Sequence, residues 1–153
     1  AGDDDAYGAV WGTAQNVDDP YLSLGYHMAG MRFQAVDIPQ GAQIVSAVLK
    51  VMSYKSGLTI DIDTPIHAEA ADNAVAFDSS HRVNSRERTA AKVTWKIADN
   101  WERNTWYESP DLALVIQDAD IHFPGVQVDP AIVFVLLVIE IHAVPPFAWV
   151  NGC

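Results

Sequence analysis

Residues 58–68 read LTIDIDTPIHA, with Leu58, Ile60, Ile62, Ile66 and Ala68 on one parity and Thr59, Asp61, Asp63 and His67 on the other. Alternation with period two puts one face on a core and the other in water, the mark of a half-buried β-strand. The same pattern recurs upstream. In residues 21–28, Leu22, Leu24, Tyr26 and Met28 oppose Ser23, Gly25 and His27, and further on Met31, Phe33 and Ala35 alternate with Arg32 and Gln34. Residues 43–54 (QIVSAVLKVMSY) predict a longer strand with Val45, Ala47, Leu49 and Val51 inward, and short runs at 6–11, 92–95 and 147–150 complete the set. Turn signals separate them: Asp19-Pro20, Ala29-Gly30, Pro39-Gln40-Gly41, Ser56-Gly57 and Pro124-Gly125. Many strands at short spacing predict an all-β fold, a jelly-roll-like antiparallel β-sandwich.

One helix interrupts the pattern, over about residues 110–119. Ser109 is placed to cap it, Pro110 suits the first helical position, and Asp111 complements the N-terminal dipole. Leu112, Val115, Ile116 and Ala119 follow at helical spacing. Two segments depart from simple alternation. Residues 131–141 (AIVFVLLVIEI) are apolar at both parities, so both faces of that strand need covering, by the helix or by a neighbouring molecule. Residues 1–20 form an N-terminal arm or first strand, open to donation to a neighbouring subunit by β-augmentation, with residues 21–153 as the sandwich domain. The subunit-contact candidates are therefore Tyr7, Val10 and Trp11 on the arm and Val133, Val135, Leu137 and Ile139 on the apolar strand.

Composition bounds the function. The 153 residues suit one domain, which at this size buries roughly two-thirds of its unfolded surface. Nine basic residues against 20 acidic ones give a net charge of −11, which argues against nucleic acid and anionic lipid as partners. The apolar run from 131 to 139 is far short of the ~20 residues of a spanning helix, so no membrane insertion is expected. The single cysteine, Cys153, leaves no internal disulfide framework. An opening Ala1 is what a processed, exported chain would show.

The stretch MRFQAVDIPQGAQIVSAVLKVM (residues 31–52), then IHAEAADNAVAFDSS (66–80), RTAAKVTW (88–95) and YESPDLALVIQ (107–117), resembles in order the secreted bacterial β-sandwich modules of the DNRLRE type, related to carbohydrate-binding modules. The resemblance spans about half the chain. It implies a secreted or cell-surface jelly-roll-like module without catalytic residues, of the kind that serves adhesion and sometimes binds calcium or glycans. Two stretches depart from the pattern: DADIHFPGVQVD after Gln117, and the closing PPFAWVNGC. An altered closing strand leaves a groove for strand donation between copies, and a free-standing module also resembles, more loosely, subunits of extracellular bacterial filaments.

No enzyme signature is present: no Gly-x-Ser-x-Gly elbow, His-Glu-x-x-His, Cys-x-x-Cys or phosphate-binding glycine loop. His27, His67, His81, His122 and His142 are scattered and read as solvated or core residues, and Asp61 with Asp63 is a weak basis for glycosidase chemistry. Calcium is the better metal candidate, since hard cations want six to eight oxygens. Candidate ligands are Glu69, Asp72, Asn73 and Asp78, with Asp18 and Asp19 as a second cluster and Asp3, Asp4 and Asp5 as a third. Loop solvation explains the same acids. Trp101, Trp106 and Tyr107, with Asn100 and Asn104 nearby, are candidate sugar-stacking residues or else anchors beneath the helix. Two functions follow. The leading expectation is a non-catalytic structural subunit of an extracellular filament or surface assembly, a homo-oligomer or helical polymer joined by β-strand complementation, with calcium as a candidate stabiliser. The alternative is a calcium-dependent carbohydrate-binding or adhesion module.

Overall fold

The computed structural model describes residues 4–23, 27–34, 42–56, 61–71, 74–98, 100–121 and 138–139. Its strands are β1 (Asp5–Gly8), β2 (Gln15–Asn16), β3 (Met28–Met31), β4 (Lys50–Met52), β5 (Ile62–His67), β6 (Val93–Ile97), β7 (Trp106–Glu108) and β8 (Val138–Ile139). A 3-10 turn, Val83–Ser85, precedes β6, and one helix, α1 (Ala113–Ile121), follows β7. Six strands form one sheet in the order β2-β1-β3-β8-β5-β6, and β4 and β7 form a second. Every pairing is antiparallel. The all-β character with one short helix is thus as the alternation predicts.

The stretch LTIDIDTPIHA supplies β5, which pairs with β6 from Ile62↔Ile97 to Ile66↔Val93. Thr64 and Ile66 are buried while Asp61 and Asp63 are exposed, the parity expected of a strand with one wet face. The strand β3 corrects an expectation. Ala29-Gly30 is not a turn; both residues lie mid-strand, and all four residues of β3 are buried. The reason is packing. A Cβ on Gly30 would meet the Phe77 ring at 2.6 Å, so glycine is there to let an aromatic side chain approach the backbone.

Both faces of the large sheet are covered. On one, Ala6 and Met28 pack with Phe77 and Val83, which come from the connection between β5 and β6. On the other, Ala29, Met31, Ile66, Trp95 and Ile97 pack with Leu49 and Leu112, and half-buried Val51, Trp101, Tyr107 and Ile116 extend that cluster. A small third cluster joins Ala68 to Val115 and Ala119 of the helix. So β4, β7 and the start of α1 lie over one face, and the 74–85 connection lies over the other.

Two further expectations are corrected here. Only Lys50–Met52 of the predicted 43–54 strand joins a sheet, and Val45 is 82% exposed rather than inward. Residues 44–49 instead bond to the chain around α1: the Ile44 N–H donates to Gln117 Oε1, the Leu112 N–H to the Ala47 carbonyl and the Ser109 N–H to the Leu49 carbonyl. The helix starts three residues later than predicted, and Ser109 does not cap it. The Ser109 hydroxyl accepts from the Leu49 N–H, while Asp111 accepts from the N–H groups of Ala113 and Ala47. Those two bonds hold the Asp111 carboxyl below its ordinary value.

The described part of the doubly apolar segment is β8. It sits between β3 and β5, with Ile139 opposite both Ala29 and Ile66. Val133, Val135 and Leu137 lie outside the described residues, as does the predicted 147–150 strand. At the other end of the chain, β1 runs between β2 and β3 of its own sheet. No helix among the described residues is long and apolar enough to cross a membrane.

Candidate functional site

A cleft of about 670 Å³ opens beside β4, between the two sheets. Among the described residues β4 pairs only with β7, so its free edge forms one wall. The floor is the core itself: Met31, Val51, Ile62, Ile97 and Trp101. The rim combines aromatic and polar groups, with Tyr21, Tyr54 and Trp106 beside Asp5, Asp19, Ser23, Lys55 and Asn104.

Three local features fix that rim. Tyr21 and Tyr54 stack with ring centroids 4.9 Å apart and planes 8° from parallel. The Arg103 guanidinium stands 5.8 Å from the Tyr54 ring centroid, within cation–π reach. The turn at 102–105 is stapled to residues 53–56: the Asn104 N–H donates to the Ser53 carbonyl (2.8 Å), the Ser53 N–H to the Thr105 carbonyl (3.0 Å) and the Arg103 N–H to Ser56 Oγ (2.8 Å). Asn104 takes φ = 61°, a left-handed conformation that asparagine tolerates better than most residues. The Glu102 N–H is held by the Tyr107 hydroxyl at 2.8 Å.

On the opposite wall, the Tyr7 hydroxyl donates to Asp19, whose carboxylate also accepts from Asn16 Nδ2 at 2.9 Å. Bonding to Asp19, then burial, raises the Tyr7 hydroxyl above its ordinary pKa. Burial, reinforced by Asp4 next door, raises the Asp5 carboxyl. The Lys50 ammonium pairs across the β4–β7 ladder with Glu108, whereas neither Lys55 nor Arg103 has a carboxylate within ion-pair distance among the described residues.

The predicted stacking residues divide. Trp101 lies flat on Tyr107 (centroids 4.2 Å, planes 2° apart) and tilts against Trp95 at 5.6 Å, so this pair is anchored to the core. Trp106 is 62% exposed at the cleft mouth, opposite Met52 on β4. Tyr21 and Tyr54 were not singled out by sequence. They are 33 positions apart, and only the fold brings them together.

The candidate calcium ligands are engaged elsewhere. Glu69 Oε2 accepts from Arg86 Nη1 at 2.8 Å in a buried pair. Asp78 accepts from the N–H groups of Ser80 and His81 and meets the His81 ring at 3.0 Å, bonds that lower its carboxyl to about 2. Asp18 is exposed next to Asp19; Asp72, Asn73 and Asp3 lie outside the described residues. Among the described residues no three His, Cys, Asp or Glu side chains cluster in a way that could hold a metal. Of the arm's contact candidates, Tyr7 faces the cleft side, Val10 packs against the Phe77 cluster, and Trp11 projects into solvent.

No family model, curated protein or solved structure matches this chain.

Proposed function

We propose that this chain is a non-catalytic glycan-binding module of the secreted or cell-surface kind, built as a jelly-roll-like sandwich. One observation carries the reading: a cleft with an aromatic rim formed by the stacked Tyr21–Tyr54 pair and Trp106, interleaved with amide, hydroxyl and carboxylate groups. Sugar rings present apolar C–H faces and polar edges, and aromatic planes beside hydrogen-bonding groups meet both. Lys55 at the rim and Arg103 beside Tyr54 stand with Asp5 and Asp19 around the same cleft, so the rim offers both cationic and anionic hydrogen-bonding groups to a sugar's polar edge. The ordered resemblance to DNRLRE-type modules supports the same reading. It is tested by titrating intrinsic tryptophan fluorescence with soluble acidic and neutral polysaccharides, Trp106 being at the mouth. A calcium contribution, resting on Asp18, Asp19 and the segment with Asp72 and Asn73, is tested by EDTA at matched ionic strength. A cation bound only to the folded state raises Tm, and its removal lowers it.

A second reading, the structural subunit of an extracellular filament joined by strand complementation, is favoured by β8. The segment around residues 138–139 supplies a strand to the middle of the large sheet, between β3 and β5; on this reading an equivalent strand from a neighbour would take the same position. Electron microscopy of the purified protein at neutral pH separates the two: regular filaments favour the assembly, dispersed particles the binding module.

A further inference from the structure

Tyr21 and Tyr54 lie ring to ring, with centroids 4.9 Å apart and planes 8° from parallel, yet they are 43% and 54% exposed. Among the described residues this ring contact alone joins two tyrosines. Both rings stand on fixed backbone. Ahead of Tyr21, Asn16 Oδ1 accepts from the N–H groups of Asp18 (2.9 Å) and Asp19 (3.1 Å), and Asn16 Nδ2 donates to the Asp19 carboxylate. Ahead of Tyr54, the Ser53 N–H and carbonyl bond to Thr105 and Asn104, and the Ser53 hydroxyl donates to the Lys55 carbonyl at 2.6 Å. The fold therefore holds the two rings together rather than leaving them to chance encounter. Tyr7 and Tyr107 are committed inward instead. The Tyr7 hydroxyl donates to Asp19, the Tyr107 hydroxyl accepts from the Glu102 N–H, and the Tyr107 ring lies flat against Trp101.

Two phenols held ring to ring and open to solvent have the geometry for oxidative coupling, because proximity turns an encounter between radicals into an intramolecular step. We propose that Tyr21 and Tyr54 form a dityrosine cross-linking site, closed by hydrogen peroxide and a haem peroxidase. Each phenol gives up one electron and its O–H proton, and the two ring carbons ortho to the oxygens join in a new C–C bond. The C–H protons at those carbons then move to the oxygens and restore both phenols. The two electrons and two protons released reduce one hydrogen peroxide to two waters.

Tyr21 lies between β2 and β3 of the large sheet, and Tyr54 follows β4 of the second, so the bond ties the two sheets together at the cleft rim. It also joins positions 33 residues apart, which removes freedom from the unfolded chain and stabilises the folded one. The site rests on the stacked pair and not on the glycan reading.

Treating dilute protein with a haem peroxidase and hydrogen peroxide, then isolating the monomer by size exclusion, tests this. The wild-type monomer should lose the mass of two hydrogen atoms, gain dityrosine fluorescence and yield a tryptic product joining residues 1–32 to residues 51–55. It should also unfold at a higher Tm than untreated protein. Tyr21→Phe and Tyr54→Phe each keep the stacked ring but lack the phenol, so each should keep its Tm before treatment and lose the monomer's dityrosine fluorescence. A wild-type monomer without the 1–32 to 51–55 link, a Phe variant that couples like wild type, or a linked monomer that unfolds at the untreated Tm overturns the proposal. Both Phe variants retain the aromatic rim, so their fluorescence titration with polysaccharide reads the glycan proposal separately.

Discussion

The two faces of the large sheet are finished differently. On one, the 74–86 connection seals β1 and β3. Phe77 sits against Gly30, and Arg86 lies over the Phe77 ring with its guanidinium 4.3 Å from the centroid. Arg86 itself bonds to Glu69 and to the carbonyls of Val75, Ala76 and His81, while its buried Nε has no hydrogen-bond partner among the described residues. On the other face, β4 and β7 cover the core only partly and leave a cleft whose aromatic rings stack on each other with exposed edges. The sealed face spends its polar groups on its own backbone. The open face leaves aromatic planes, Lys55 and Arg103 exposed. On the proposed function the sealed face serves stability and the open face recognition, and the difference can be broken by mutation.

The largest effect is expected on the sealed face. Arg86→Met leaves Glu69 buried without its partner and should cost about 3–5 kcal/mol in urea unfolding, with the Arg86→Met/Glu69→Met double variant costing clearly less. A double variant as unstable as the single would mean that Arg86 acts through the loop carbonyls alone. Next comes Gly30→Ala, whose Cβ would press on Phe77 at 2.6 Å. About 1–3 kcal/mol should be lost, and Phe77→Leu should recover part of it. On the open face the pattern inverts. Trp106→Ala should change stability by less than about 0.5 kcal/mol while weakening polysaccharide binding about tenfold, or ~1.4 kcal/mol.

A smaller gain is expected within the core. Thr64 is fully buried and its hydroxyl has no hydrogen-bond partner among the described residues. Thr64→Val should therefore stabilise the fold by about 1 kcal/mol, read as a raised urea midpoint at constant m. The smallest effect concerns pH. The folded-state carboxyl of Asp78 lies at about 2 against an ordinary 3.8, so its contribution is present above the ordinary value and lost as pH falls through the folded one. Asp78→Asn should remove the part of the acid destabilisation that falls between about pH 4 and pH 2. Asp5 has the opposite sign: its raised carboxyl favours the protonated form on folding, so Asp5 disfavours the fold once ionised.

Much of this fold was legible in the sequence because alternation reports which face of a strand is wet. It failed where both faces are covered: Ala29-Gly30 reads as a turn only until Phe77, 47 positions away, is placed on it. It failed again at Val45, because residues 44–49 bond to the chain around α1 instead of joining the sheet. The helix was visible from its spacing, but its cap was misread, since the competitor for Ser109 is the distant Leu49 N–H. The site was half legible. Tryptophan clustering pointed to Trp101, Trp106 and Tyr107, and the fold separates the anchored Trp101–Tyr107 stack from exposed Trp106. Tyr21 and Tyr54 left no local signal, because their pairing depends on two connections crossing in space.

The central claim is that the open face binds glycan through its aromatic rim. Tryptophan fluorescence of the wild-type protein and of a Tyr54→Ala/Trp106→Ala variant, titrated with the same polysaccharide, tests it most directly. A saturable shift in the wild type that is lost in the equally stable variant is the expected result. An identical shift in both, or none in the wild type with any acidic or neutral polysaccharide, would contradict it.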